Sequence, residues 1–123
     1  MTFQERAEQL AAEMTLEERA LMLCFDSPPV KRLGIPAYHW WNEGLHGVAR
    51  AGTATMFPQA IAMAAMFDAD EMEKIGDIIS TEARAKFNAS RAEGDYDIYK
   101  GLTLWSPNIN IFRDCRWGRG QET

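Results

Sequence analysis

Residues 38–49 read YHWWNEGLHGVA: two adjacent tryptophans, one glutamate and two histidines within twelve positions. A carboxylate among large aromatic faces suits a polyhydroxylated ligand. Rings cover the C–H face, and Glu43 accepts hydrogen bonds from hydroxyls, as in pockets that combine apolar walls with a few placed polar groups. The same composition also suits a buried aromatic cluster with a solvated glutamate, since aromatic side chains fill cores. His39 and His46 are seven positions apart, not the i, i+4 spacing of a helical zinc pair, and no Cys or carboxylate completes a ligand set. Each imidazole is expected to hydrogen-bond locally.

A second chemistry-bearing stretch, WSPNINIFRDCRWGRGQE, spans Trp105 to Glu122. Arg113, Arg116 and Arg119 recur every three residues, but Pro107 before them and Gly118 and Gly120 after Arg116 favour a strand end and loop over a helix. Arginine presents a rigid fork of donors that fits vicinal hydroxyls or carboxylates. Asp114 and Glu122 could instead pair with these arginines and brace the loop. Gly118-Arg119-Gly120 is not a dinucleotide fingerprint, because the third glycine and the βα context are missing. There is no GxSxG, no P-loop and no supported Cys–His arrangement. Cys24 and Cys115 match no metal or redox spacing.

The elements that must position these residues can be read from caps and periodicity. Thr2 with Glu5, and Thr15 with Glu18, are capping boxes that start two helices meeting near Met14. Ala7, Leu10, Ala11 and Met14 repeat at helical spacing in the first, and Ser27-Pro28-Pro29 is expected to end the second. Ala37 to Trp41 reads as a short buried strand, and Gly44, Gly47 and Gly52 as a tight loop. Pro58 suits a first helical turn. Asp68 caps a helix to about Phe87, with Met72, Ile75, Ile79, Ala83 and Phe87 on one face. Residues 89–100 read as a surface loop and Leu102 to Phe112 as a strand. Helices, strand, helix, strand is the start of an alternating α/β pattern.

Composition excludes several classes. The chain has 123 residues, 46% apolar and 25% charged, as globular proteins do. A net charge of -5 opposes binding to a nucleic-acid backbone. No run approaches the ~20 apolar residues of a membrane span, and the polar start MTFQERAEQL is not a signal peptide, so a cytoplasmic location is expected. The chain stops at GRGQET, where a strand has just ended in a Gly- and Arg-rich turn. An α/β sheet of so few strands cannot cover both faces, so residues 1–123 are expected to be the N-terminal portion of a longer protein, poorly stable in isolation.

Four segments, YHWWNEGLHGVA, ATMFPQAIAMAAMFD, IGDIISTEARAKFN and YKGLTLWSPNINIFRDCRWGRGQET, together resemble glycoside hydrolase family 3 in its β-xylosidase branch, in order and spacing. The resemblance implies the opening units of a (β/α)8 barrel, whose active-site loops follow the C-terminal ends of strands. It implies a retaining exo-glycosidase releasing terminal β-D-xylose from xylo-oligosaccharides, with Glu43 and Arg119 binding sugar hydroxyls in subsite -1. Trp105 and Trp41 would line that subsite, with Trp40 a further wall residue. The nucleophile and the acid/base are expected downstream of residue 123, so no catalytic residue is assigned here. The resemblance implies an oligosaccharide partner and neither cofactor nor metal; it leaves the oligomeric state open. A β-glucosidase or α-L-arabinofuranosidase of the same family, or a non-catalytic sugar-binding fragment, are the alternatives. Where the family's glucosidases have Asp, Glu43 reaches one methylene further, which favours a pentose. Cys115 stands where the family usually has proline, which frees the loop leading to Arg119.

Overall fold

The computed structural model describes residues 1–122. Its first helices, α1 (Phe3–Glu13) and α2 (Leu16–Leu21), start at the expected capping boxes. Thr2 Oγ1 accepts from Glu5 N at 3.2 Å while Glu5 Oε2 accepts from Thr2 N at 2.7 Å. The Thr15–Glu18 box repeats this at 3.2 and 2.8 Å. Arg32 joins the two helices, donating to Glu18 Oε1 at 2.9 Å and to the Glu13 carbonyl at 2.8 Å. Its guanidinium is the main reason the Glu18 carboxyl is lowered to about 2.

Neither helix buries a residue, so the repeat Ala7, Leu10, Ala11, Met14 does not make a core face. Nor do the prolines end α2. The helix stops at Leu21, and the Ser27 hydroxyl lies 3.1 and 2.9 Å from the carbonyls of Met22 and Cys24. A side chain thus takes up carbonyls that the next helical turn would have used. Ser27 itself belongs to strand β1 (Asp26–Ser27).

The strand expected over Ala37–Trp41 is split in two. β2 (Tyr38–His39) pairs antiparallel with β1, and β3 (Asn42–Glu43) pairs parallel with β4 (Leu104–Trp105). The break falls at the tryptophans, where Trp41 N donates to His39 Nδ1 at 3.2 Å instead of entering a ladder. The strand expected over Leu102–Phe112 is only the two residues of β4. Pro107 has no N–H to offer a ladder, and Ile109, Ile111 and Phe112 beyond it are exposed.

Parallel strands require a crossover, here built from α3 (Ala60–Ala64) and α4 (Ala69–Ala92). Pro58 lies just ahead of the α3 cap, Gln59, and not within the first turn as expected. Asp68 caps α4, accepting from Glu71 N at 3.0 Å. On the expected face Ile75, Ile79 and Ala83 are buried, and with Val48 and Met63 they form the core. Met72, further along that face, is exposed. The helix runs five residues past Phe87, because the Ala-Ser-Arg-Ala sequence has no breaker. Gly94, at φ 72°, ends it; its N–H bonds Arg91 O while Asp95 N bonds Ser90 O. The surface loop therefore begins near residue 93, not 89.

α4 also grips the loop after β3. Thr55 donates from N and Oγ1 to Glu82 at 2.9 and 2.6 Å, which holds the Glu82 carboxyl below the usual range. Lys86 Nζ donates to the carbonyls of Ala51 and Thr53. Gly47 (φ 127°) is required here, since a Cβ would lie 2.3 Å from Thr55 O.

Candidate functional site

The register of β3 and β4 determines which side chains share a face. Glu43 is directly opposite Trp105, and Asn42 is opposite Leu104. Side chains alternate across a strand, so Leu104 faces the helix side. Asn42 is buried and Leu104 packs on the core. Glu43 and Trp105 face a cavity of about 550 Å³, which Trp40, Trp41 and Arg119 also line. The four residues singled out in the sequence, Glu43, Arg119, Trp105 and Trp41, thus meet around one space.

The tryptophans are not core. Trp40, Trp41 and Trp105 are 46%, 52% and 43% exposed, at the cavity and outside the core cluster of this chain. Trp41 Nε1 donates to Glu43 Oε1 at 3.2 Å, fixing the carboxylate against one wall. Trp40 Nε1 donates to the fully buried Ser27 Oγ at 2.9 Å, and its ring meets Tyr38 edge-on at 4.8 Å. Trp40 and Trp41 are thus each held by a polar anchor at the indole N–H.

Only Arg119 of the three arginines lines the cavity. Its guanidinium carbon lies 4.6 Å from the Trp105 ring centroid, within cation–π range. Its Nε and Nη2 reach Glu122 Oε2 at 2.7 and 2.5 Å. Glu122 uses two of the five N–H donors that a guanidinium carries. Arg116 turns instead to Asp114, donating from Nε, Nη2 and its own backbone N at 2.7, 2.9 and 2.9 Å. These bonds hold the Asp114 carboxyl below its usual range. The loop across exposed Cys115 is therefore braced by a side-chain clasp two residues long, in place of the expected proline. The ion pairs are separate and local, not one network.

Phe25, Asn42 and Glu122 complete the cavity wall. Sequence reasoning placed Glu122 only as an arginine partner and did not single out the other two. Phe25 arrives through long-range pairing, with Trp40 N donating to its carbonyl at 2.7 Å, and no local signal marks it. His39 is tied locally as expected, its Nδ1 to Trp41 N, whereas His46 Nδ1 reaches Phe57 O, eleven residues on, at 3.0 Å. Among the described residues no helix is long and apolar enough to cross a membrane.

Residues 6–123 match the N-terminal domain of glycosyl hydrolase family 3. The chain belongs to that family. It is 46% identical over 125 residues to a xylan 1,4-β-xylosidase of Xylanibacter ruminicola, covering 100% of this chain and 14% of that protein. It is 47% identical over 129 residues to the probable β-D-xylosidase 7 of Arabidopsis thaliana, covering 97% and 16%. Among solved structures it resembles XlnD, a family 3 exo-β-xylosidase in complex with a xylobiose aziridine activity-based probe. The TM-score is 0.81 at 37% identity, over 100% of this chain and 16% of that one. The family 3 chain thus spans about one-sixth or less of the length of these relatives. Its α/β fold, with β3, the helical crossover and β4, is the opening part of the family's barrel domain.

Proposed function

We propose that this segment supplies the sugar-binding wall of subsite -1 in a retaining exo-glycosidase that releases terminal β-D-xylose from xylo-oligosaccharides. Glu43 accepts hydrogen bonds from sugar hydroxyls and Arg119 donates to them. Trp105 and Trp41 cover the apolar ring faces. The reading is supported chiefly by the cross-strand pairing of Glu43 with Trp105, with Arg119 stacked on that ring over the same cavity. The xylosidase names of the relatives point the same way. In this reading the nucleophile and acid/base, the carboxylate pair that retention needs, come from sequence beyond this chain, in a protein of its relatives' length. That protein is the long form of this chain.

Glucose differs from xylose by a C6 hydroxymethyl, and the extra methylene of Glu43 over aspartate occupies that space. A methylene discriminates by ~1–3 kcal/mol. Glu43→Asp in the long form should therefore raise the ratio of aryl β-D-glucoside to aryl β-D-xyloside turnover roughly 10-fold or more. Paired kcat/KM measurements check this, and an unchanged ratio would remove the steric explanation.

A further inference from the structure

Asn42 is 2% exposed, and its carboxamide is used at both ends. Nδ2 donates to the Gly101 carbonyl at 2.7 Å, and Oδ1 accepts from the backbone N of Glu43 at 2.9 Å. One side chain therefore spans from β3 to the segment entering β4 and holds the amide of the residue that faces the cavity. The strands it joins are only two residues long, so their own ladder fixes little.

The far end of this bridge cannot drift. A Cβ on Gly101 would stand 2.6 Å from His39 O and 3.1 Å from Tyr38 Oη, so the chain passes where only glycine fits. The next two residues are pinned to the same tyrosine, with Leu102 N and Thr103 N donating to Tyr38 Oη at 2.8 and 3.1 Å. Residues 101–103 thus form a fixed ledge, and Asn42 is the strut from it to Glu43. At its other end the Glu43 side chain is held by Trp41 Nε1.

We propose that Asn42 is a positioning residue for the sugar-binding carboxylate, its carboxamide setting the direction in which β3 presents Glu43 to the cavity. This rests on the reading of Glu43 given above. The role needs a donor at one end and an acceptor at the other, at asparagine's length. An aspartate has acceptors at both ends and repels the Gly101 carbonyl. A leucine leaves both backbone groups unpaired, which buried polar groups do not tolerate cheaply. Serine is too short to span.

The test is a double-mutant cycle in the long form with N42D, E43Q and the pair, measuring kcat and KM for an aryl β-D-xyloside. A small displacement of a binding group costs rate steeply, so N42D is expected to lower kcat/KM on the order of 10- to 100-fold. It should divide that loss between kcat and KM as E43Q does. In the E43Q background the further loss should shrink to about 3-fold or less, since residues that act through one another are not additive. Should N42D not accumulate as folded protein, N42S goes through the same cycle. Additive losses, or wild-type kcat and KM in the folded variant, would overturn the proposal for Asn42. If E43Q alone leaves kcat/KM unchanged, it is the reading of Glu43 that fails.

Discussion

Replacing Glu43 by alanine in the long form should lower kcat/KM for an aryl β-D-xyloside about 1,000-fold. A hydrogen bond to a charged group is worth ~1.5–3 kcal/mol, and a carboxylate facing vicinal hydroxyls accepts two. Tenfold in rate is about 1.4 kcal/mol, so the two together supply three orders of magnitude. The fold should be nearly untouched. The carboxylate's hydrogen bond runs to Trp41 Nε1 at the cavity wall, not into the core of Val48, Met63, Ile75, Ile79 and Ala83. Steady-state kinetics beside a thermal melt checks both parts. A melting temperature kept within a few degrees with kcat/KM also kept would show that Glu43 does not meet the sugar.

Replacing Arg119 by lysine is the second large effect. Lysine keeps the charge but loses the planar fork, so it cannot both stack on Trp105 and reach Glu122 as Arg119 does. The expected loss in kcat/KM is on the order of 10- to 100-fold, the worth of one or two charge-assisted hydrogen bonds. R116K is the internal control. Arg116 is bound to Asp114 and its side chain is 87% exposed, outside the cavity. Its exchange should change kcat/KM less than about 3-fold, as exposed ion pairs contribute little. Equal losses in the two variants would mean that loop bracing, not contact with the sugar, explains the Arg119 effect.

The helix starts were legible because their signals are local. The capping boxes at Thr2 and Thr15, and the Asp68 cap, are set by residues three apart, and each forms with the predicted partners. The convergence of Glu43, Trp41, Trp105 and Arg119 came from the family resemblance, since 62 residues separate Glu43 from its register partner Trp105. What stayed hidden depends on long-range geometry. Strand lengths shrank because Trp41 N turns to His39 and because Pro107 cannot extend β4. Helix α4 ran long because helix-forming residues continue until Gly94 can adopt a left-handed φ. Asn42 looks like any polar residue until its two backbone partners, one of them 59 residues away, are seen. Phe25 reaches the cavity through long-range contacts, its backbone bond to Trp40 and its ring against His39. The apolar repeat of α1 makes no core face because periodicity gives a face and not what covers it: Leu10 and Met14 are only partly buried.

In the function proposed above, this chain binds the sugar while the reacting carboxylates lie beyond it. The most direct measurement is hydrolysis of aryl β-D-xyloside, β-D-glucoside and α-L-arabinofuranoside by the long form, beside the 123-residue chain alone. The predicted result is turnover by the long form only, with the xyloside preferred. Turnover by the 123-residue chain itself would contradict it, and would make Glu43 a reacting group and not an anchor.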